Sequence, residues 1–246
     1  MKYLVRKSVL VGVLLFPSIS FCSSLVDEAV SLRARCIANI VGIKTIKFAT
    51  VTKVESPSAV NRSMARSTQA GGDAVTWDRK GGRSKRKTAG SSPSAQVVDA
   101  QKGLLRYLGP DSASVFEEAI AESDALEKAV PAPRWLWNPS WLIPAKPASV
   151  RVEGTLIVID GSITHPKREI RMERQTGHIM GFTDTDANGD IVRVVDASGW
   201  AEHNGVWLPG TVREEIRAEK GTLVRTTTLS ILAVNPVLGE ADFELP

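Results

Sequence analysis

The chain has 246 residues, 43% of them hydrophobic and 24% charged, with 31 Lys and Arg against 27 Asp and Glu. Its first residues hold three of those cations and no acid, so without them 28 basic residues face 27 acidic ones. A net charge near +1 gives no reason to expect nucleic acid or an anionic membrane as partner, and the remaining length suffices for one large domain or two small ones with a sizeable core.

Lys2, Arg6 and Lys7 open the chain, Val9 to Phe16 form a short apolar core, and Pro17 to Ser24 supply small residues. Together they read as a cleaved export signal over residues 1–24. The apolar run falls well short of the roughly 20 residues a membrane helix needs, which favours removal over anchoring. Cys22 stands where a bacterial lipoprotein signal places its lipidated cysteine, but Phe21 precedes it where a small residue is needed. A cut after Ser20, Cys22 or Ser24 releases a soluble exported chain, with lipid attachment at Cys22 as the alternative. If the cut follows Cys22, only Cys36 remains and no internal disulfide is available. Cys36 lies in a helical apolar pattern and reads as a small core residue.

The body opens with Ser24 and Asp27 in capping-box-like spacing, followed by Leu25, Ala29, Leu32, Cys36, Ala38 and Val41 at helical intervals. From Ile43 the period drops to two, with Ile46 and Phe48 on one face and Ala49 and Val51 on the other, a strand to about Val54. Glu55 to Asp73 is polar and reads as a long loop. Ala74 to Lys87 reads as a hairpin turning at Gly81-Gly82, and its Arg79, Lys80, Arg83, Lys85, Arg86 and Lys87 form the one dense basic cluster. Solvated hairpin positions explain these cations more simply than a phosphate-binding face. Gln96 to Leu108 is a second hairpin with its turn at Asp99 to Gly103. Asp111 or Ser112 then caps an expected helix through Val115, Phe116, Ala119, Ile120 and Leu126, stopped by Pro131 and Pro133.

Three of the six tryptophans fall between proline breaks in Arg134 to Pro144, namely Trp135, Trp137 and Trp141. Such a segment either plugs a core or borders an apolar pocket, because indole rings bury much area. The remaining residues alternate strands with turns: Val150 to Ile159, Lys167 to Arg174, His178 to Thr183, Ile191 to Ala197, Val206 to Ala218 and Thr222 to Val234. The turns stand at Asp160-Gly161, Gln175 to Gly177, Asn188-Gly189, Asn204-Gly205 and Lys220-Gly221. Strands joined this tightly are antiparallel neighbours, so a parallel doubly wound sheet is excluded here. The fold class is α+β, two helices and one large antiparallel sheet that must curl around a core.

Chemistry-bearing motifs are scarce. His165, His178 and His203 each sit at an expected turn or strand end, and no HExxH, CxxC, GxSxG or Gly-rich phosphate loop appears. Asp184 to Asp190 copies the first half of a calcium loop, but its twelfth position is Val195, and Asn188-Gly189 is the preferred pair for a tight hairpin. The hairpin reading therefore stands ahead of a metal site.

The last strands carry a more specific pattern. Gly205-Val206-Trp207-Leu208-Pro209, a strand, Lys220-Gly221, a strand ending Val234-Asn235-Pro236, and a terminal Ala241 to Pro246 resemble the ending of the outer-membrane lipoprotein-sorting (LolA/LolB-like) proteins. Val98-Asp99 and Leu105 to Pro110 are similar to that family's upstream hairpin. The resemblance implies one domain over residues 25–246, an unclosed half-barrel of antiparallel strands wrapped around helices, with the final Phe and Pro docked on it. It also implies a periplasmic, monomeric, non-enzymatic carrier of lipid or lipoprotein acyl chains, with inner- and outer-membrane delivery proteins as further partners and no cofactor. The residues expected to line its cavity are Phe48, Trp77, Leu105, Trp135, Leu136, Trp141, Ile157 and Ile179. Two other readings share the sheet: an envelope-stress sensor or interaction module, and a hydrolase with an unrecognised site.

Overall fold

A computed structural model describes residues 18–55, 72–88, 94–109, 114–131, 133–161, 167–218 and 221–245. Val9 to Phe16, most of the Glu55 to Asp73 segment, Asp111, Ser112, His165, Lys220 and Pro246 lie outside them.

Helix α1 spans Ser18–Val41 and buries Ala29, Leu32 and Ile40 along one stripe. It passes unbroken through Ser24, so Ser24 is not its cap: extending a formed helix costs far less than starting one. Strand β1 (Thr45–Glu55) buries Ile46, Phe48 and Thr50, the alternation expected of a half-buried strand. β2 (Gly72–Asp78) and β3 (Arg83–Thr88) form the first hairpin, and β4 (Ser94–Asp99) and β5 (Leu104–Leu108) the second. Both match the expected turns.

The next element departs from expectation. Val115–Ala119 is a strand, β6, paired antiparallel with β5 from Leu104↔Ala119 to Leu108↔Val115, and helix α2 covers only Glu122–Ala129. Val115, Phe116, Ala119 and Ile120 satisfy a helical spacing, but a hydrogen bond from Gly109 N–H to the Ser114 carbonyl (2.7 Å) returns the chain alongside β5, where ladder bonds outweigh local periodicity. The tryptophan segment folds as two single-turn helices, α3 (Arg134–Trp137) and α4 (Pro139–Leu142), with Pro139 in the first turn of α4.

Beyond it run β7 (Val150–Glu153), β8 (Leu156–Asp160), β9 (Lys167–Glu173), β10 (Ile179–Thr185), β11 (Ile191–Ser198), β12 (Ala201–His203), β13 (Val206–Leu208), β14 (Thr211–Ala218) and β15 (Gly221–Val234). Two expected strands are each divided. Gly154 adopts φ +60 between β7 and β8, and Pro209-Gly210 separates β13 from β14. Strand β12 was not expected; it pairs with β13 across Asn204-Gly205, both at positive φ as the tight turn requires. A 3-10 turn at Glu240–Phe243 ends the described chain.

Thirteen strands form one antiparallel sheet in the order β6-β5-β4-β3-β2-β1-β15-β14-β11-β10-β9-β8-β7. It is an unclosed, strongly curved sheet around helices. The curvature follows from contacts: β2 and β10 lie five spacings apart, about 24 Å if flat. Yet Trp137 meets Trp77 of β2 at 5.7 Å between ring centroids, while Trp135, two residues away, meets Phe182 of β10 at 5.9 Å. The tryptophan segment therefore plugs the concave side, and α1 packs beside it against α4, β7 and β13.

On the outer face the 3-10 turn docks across β1, β3 and β5. Phe243 is buried beneath the Arg83 guanidinium, 4.4 Å from its ring centre, and Lys47 pairs with Asp242 at 2.6 Å. Arg83 also bonds Glu240 at 2.7 Å, Lys85 donates to the Glu244 carbonyl and Arg86 pairs with Asp73. Much of the basic cluster thus holds the chain's own ending and strand neighbours.

Candidate functional site

A cavity of about 300 Å³ opens between the C-terminal half of α1, the β9–β10 turn and the β12–β13 hairpin. Cys36 and Ile40 of α1, Leu136 of α3 and Ile179 of β10 supply aliphatic walls, and Trp200 and Trp207 close one side. Two contacts fix the hairpin over α1. The Asn39 side chain donates to the Trp207 carbonyl at 2.8 Å and accepts from the Trp207 N–H at 2.9 Å, acting as the strand partner β13 lacks there. His178 stacks on Trp200 at 4.5 Å and 7°, and lies 5.2 Å from the Trp207 ring.

The chemistry of this lining is quiet. Burial pushes the Cys36 thiol up to about 12, which keeps it protonated and without nucleophilic character. Burial also lowers His178 below its ordinary 6.5, partly opposed by Glu173, so the ring stays neutral at physiological pH. The Trp200 indole nitrogen is buried with no hydrogen-bond partner among the described residues. Arg35 stands exposed at the rim and donates to the Gln175 carbonyl at 3.0 Å. Mostly apolar walls suit an apolar ligand.

Of the eight residues expected to line a cavity, Leu136 and Ile179 reach this one. Phe48, Trp77, Trp135 and Ile157 lie in the closed core, where Trp137 sits 5.2 Å from Phe48. Leu105 shares the concave face with Phe48 and Trp77 by register but packs in a separate cluster with Val98, Ala100 and Ala129. Trp141 is 61% exposed, with the Arg168 guanidinium 5.2 Å from its ring. Sequence reading missed Asn39, Trp200, Trp207 and the role of His178. Two tryptophans flanking the Asn204-Gly205 turn were the signal available for the hairpin.

Away from the cavity, the concave face carries charges in alternation across five neighbouring strands. Arg168 of β9 bonds Asp184 of β10 at 2.8 Å, and Arg193 of β11 bonds Glu214 of β14 at 2.6 Å. Arg225 of β15 also reaches Glu214, at 3.4 Å. Asp184, the first residue of the calcium-like sequence, is therefore buried against arginine, while Asp186 accepts the N–H groups of Asn188 and Asp190, each at 2.9 Å, within the β10–β11 hairpin. Among the described residues no three His, Cys, Asp or Glu side chains converge on a metal position.

The same architecture occurs in solved structures. A DUF1329 family protein from Desulfovibrio piger superposes with a TM-score of 0.56 at 11% identity, covering 89% of this chain and 97% of that one. A LolA superfamily protein from Nitrosomonas europaea gives 0.51, also at 11% identity, over 91% and 97%. The fold is LolA-like. No protein-family model matches the sequence, and no curated protein matches it. At this identity the likeness establishes the LolA-like scaffold and leaves the ligand to the site's own chemistry.

Proposed function

We propose that this chain is a periplasmic, non-enzymatic binding or carrier protein for the acyl chains of lipids or lipoproteins, serving outer-membrane lipoprotein sorting. The observation that carries this reading is the 300 Å³ cavity walled by Cys36, Ile40, Leu136, Ile179, Trp200 and Trp207 on a LolA-like scaffold. Its volume stands at the small end of ligand pockets, which suits one acyl segment. Each methylene moved there from water contributes ~0.8 kcal/mol, so a short run of them suffices for useful affinity without a catalytic group. Neutral His178 and a protonated Cys36 thiol support the same reading, since neither adds charge to the walls.

The test is native mass spectrometry of protein recovered from the periplasm, followed by titration with palmitate and a diacylated lipopeptide, read by tryptophan fluorescence. Bound lipid and a fluorescence change are expected. Trp200→Ala should weaken binding by ~1–3 kcal/mol, the scale of one large buried apolar contact, and Cys36→Phe should fill the space and abolish uptake. A ligand-free spectrum with no uptake of either lipid would leave the interaction-module reading, in which the sheet binds a partner protein.

A further inference from the structure

The two edges of the sheet are finished differently. Both edge strands expose side chains, but β7 touches α1 and pairs its Arg151 with Glu153 and Glu169, whereas β6 is exposed at every residue, with Val115 55% and Phe116 47% exposed. Its hydrogen-bonding phase follows from two bonds that bracket the β5–β6 hairpin: Gly109 N–H to the Ser114 carbonyl at 2.7 Å, and Ile120 N–H to the Gly103 carbonyl at 2.8 Å. Only alternate residues of an antiparallel strand bond a given neighbour. With Ser114 and Ile120 directed at β5, Phe116 and Glu118 are too, and Val115, Glu117 and Ala119 turn their N–H and C=O groups outward. Beside this edge the Tyr107 and Phe116 rings stack 5.6 Å apart, next to a hollow of about 490 Å³ over Arg86, Gln96 and Leu105.

We propose that β6 is the docking edge for an extended segment of a partner protein, which adds to the sheet as an antiparallel strand carrying basic residues opposite Glu117 and Glu118 and apolar residues opposite Val115 and Phe116. Strand addition draws affinity from main-chain bonds and specificity from the alternating side chains. Charge selects the occupant. A second copy of this chain is a poor one, because the two-fold antiparallel pairing that covers the whole strand is centred on Glu117 and sets that carboxylate against itself. Acidic strands meet the same repulsion. The acids and the short length that blunt this edge against indiscriminate pairing leave it open to a cationic strand with an apolar half.

The test uses full-length protein labelled with nitrogen-15 and a capped peptide of sequence Thr-Lys-Lys-Tyr-Val-Thr. The amide signals of Val115, Glu117 and Ala119 should shift and their solvent exchange should slow. Replacing both lysines of the peptide by glutamate should weaken binding about tenfold, since two cross-strand charge pairs change sign. Glu117→Pro, which removes an outward N–H and no bond to β5, should weaken it similarly with the thermal midpoint retained. Glu117→Lys, should the proline variant fail to fold, should abolish the preference between the two peptides, since each then meets one like and one opposite charge, and a preference kept at its full size overturns the proposal. Equal binding of the acidic peptide, or shifts confined to the α1 cavity, overturns the proposal. Protection of the same three amides that grows with protein concentration in the absence of peptide also overturns it, and makes a second copy the occupant. Acyl-chain uptake is read separately, so neither result depends on the other.

Discussion

His178 is the cavity side chain whose resistance to protonation bears on the fold as the pH falls. It is stacked flat on Trp200, and burial holds its pKa below the ordinary 6.5. Below pH 6.5 the unfolded chain takes up a proton that the folded chain resists, so stability is complete above that pH and falls as the pH drops toward the folded value. The thermal midpoint should decline from pH 7.5 to 5, and His178→Phe, which keeps a stacking ring, should remove part of that decline. An unchanged pH profile in the variant would count against a buried, neutral histidine. Its place was half legible from sequence: His178 stands at a strand end as expected, but the two indoles beside it come from a hairpin more than twenty residues further on. Large apolar residues were recognised as interior, yet whether an interior residue faces a void depends on its neighbours, and Leu136 reaches the cavity while Trp135 and Trp137 beside it fill the core.

At the scale of elements, β10 shows how one residue holds a strand in place. Gly181 sits at a break in register against β9 with φ +154, and a Cβ there would drive into the Val195 carbonyl of β11 and approach the Arg171 guanidinium at 2.8 Å. Gly181→Ala should cost ~1–3 kcal/mol, the usual scale for forcing an atom into a packed interior, and the loss should appear in urea unfolding as a lower midpoint with an unchanged slope. Hairpins were the most legible elements, because Gly81-Gly82, Asn188-Gly189 and Asn204-Gly205 carry their own turn chemistry. Strand β6 was the least. Its apolar spacing fits a helix as well as a strand, and the deciding partner, β5, is set by where the chain turns. The Asp184 to Asp190 sequence reads in both directions by ligand spacing alone; its place between β10 and β11, with Asp184 held by Arg168, makes it a turn.

At the scale of the molecule, the sheet consists of two runs of neighbouring strands, β6 to β1 and β7 to β15, joined through the pairing of β1 with β15. That seam runs from Ile46↔Val234 to Glu55↔Val224, and Thr45 Oγ1 bonds the Pro236 carbonyl across 191 positions of sequence. Removing residues 219–246 takes away the shared strand and the Phe243 turn on the outer face. The shortened chain should lose its cooperative thermal transition in circular dichroism, and a sharp transition at the original midpoint would show that either run stands without the seam. The sheet was expected from the strand-and-turn pattern, but which strands join its two runs was not, since long-range pairing leaves no local mark. The seam also sets an order of events. Contacts this distant in sequence are slow to form, so a chain emerging residue by residue from a narrow exit must wait for residues 221–234 before its first strand gains a lasting neighbour on that side.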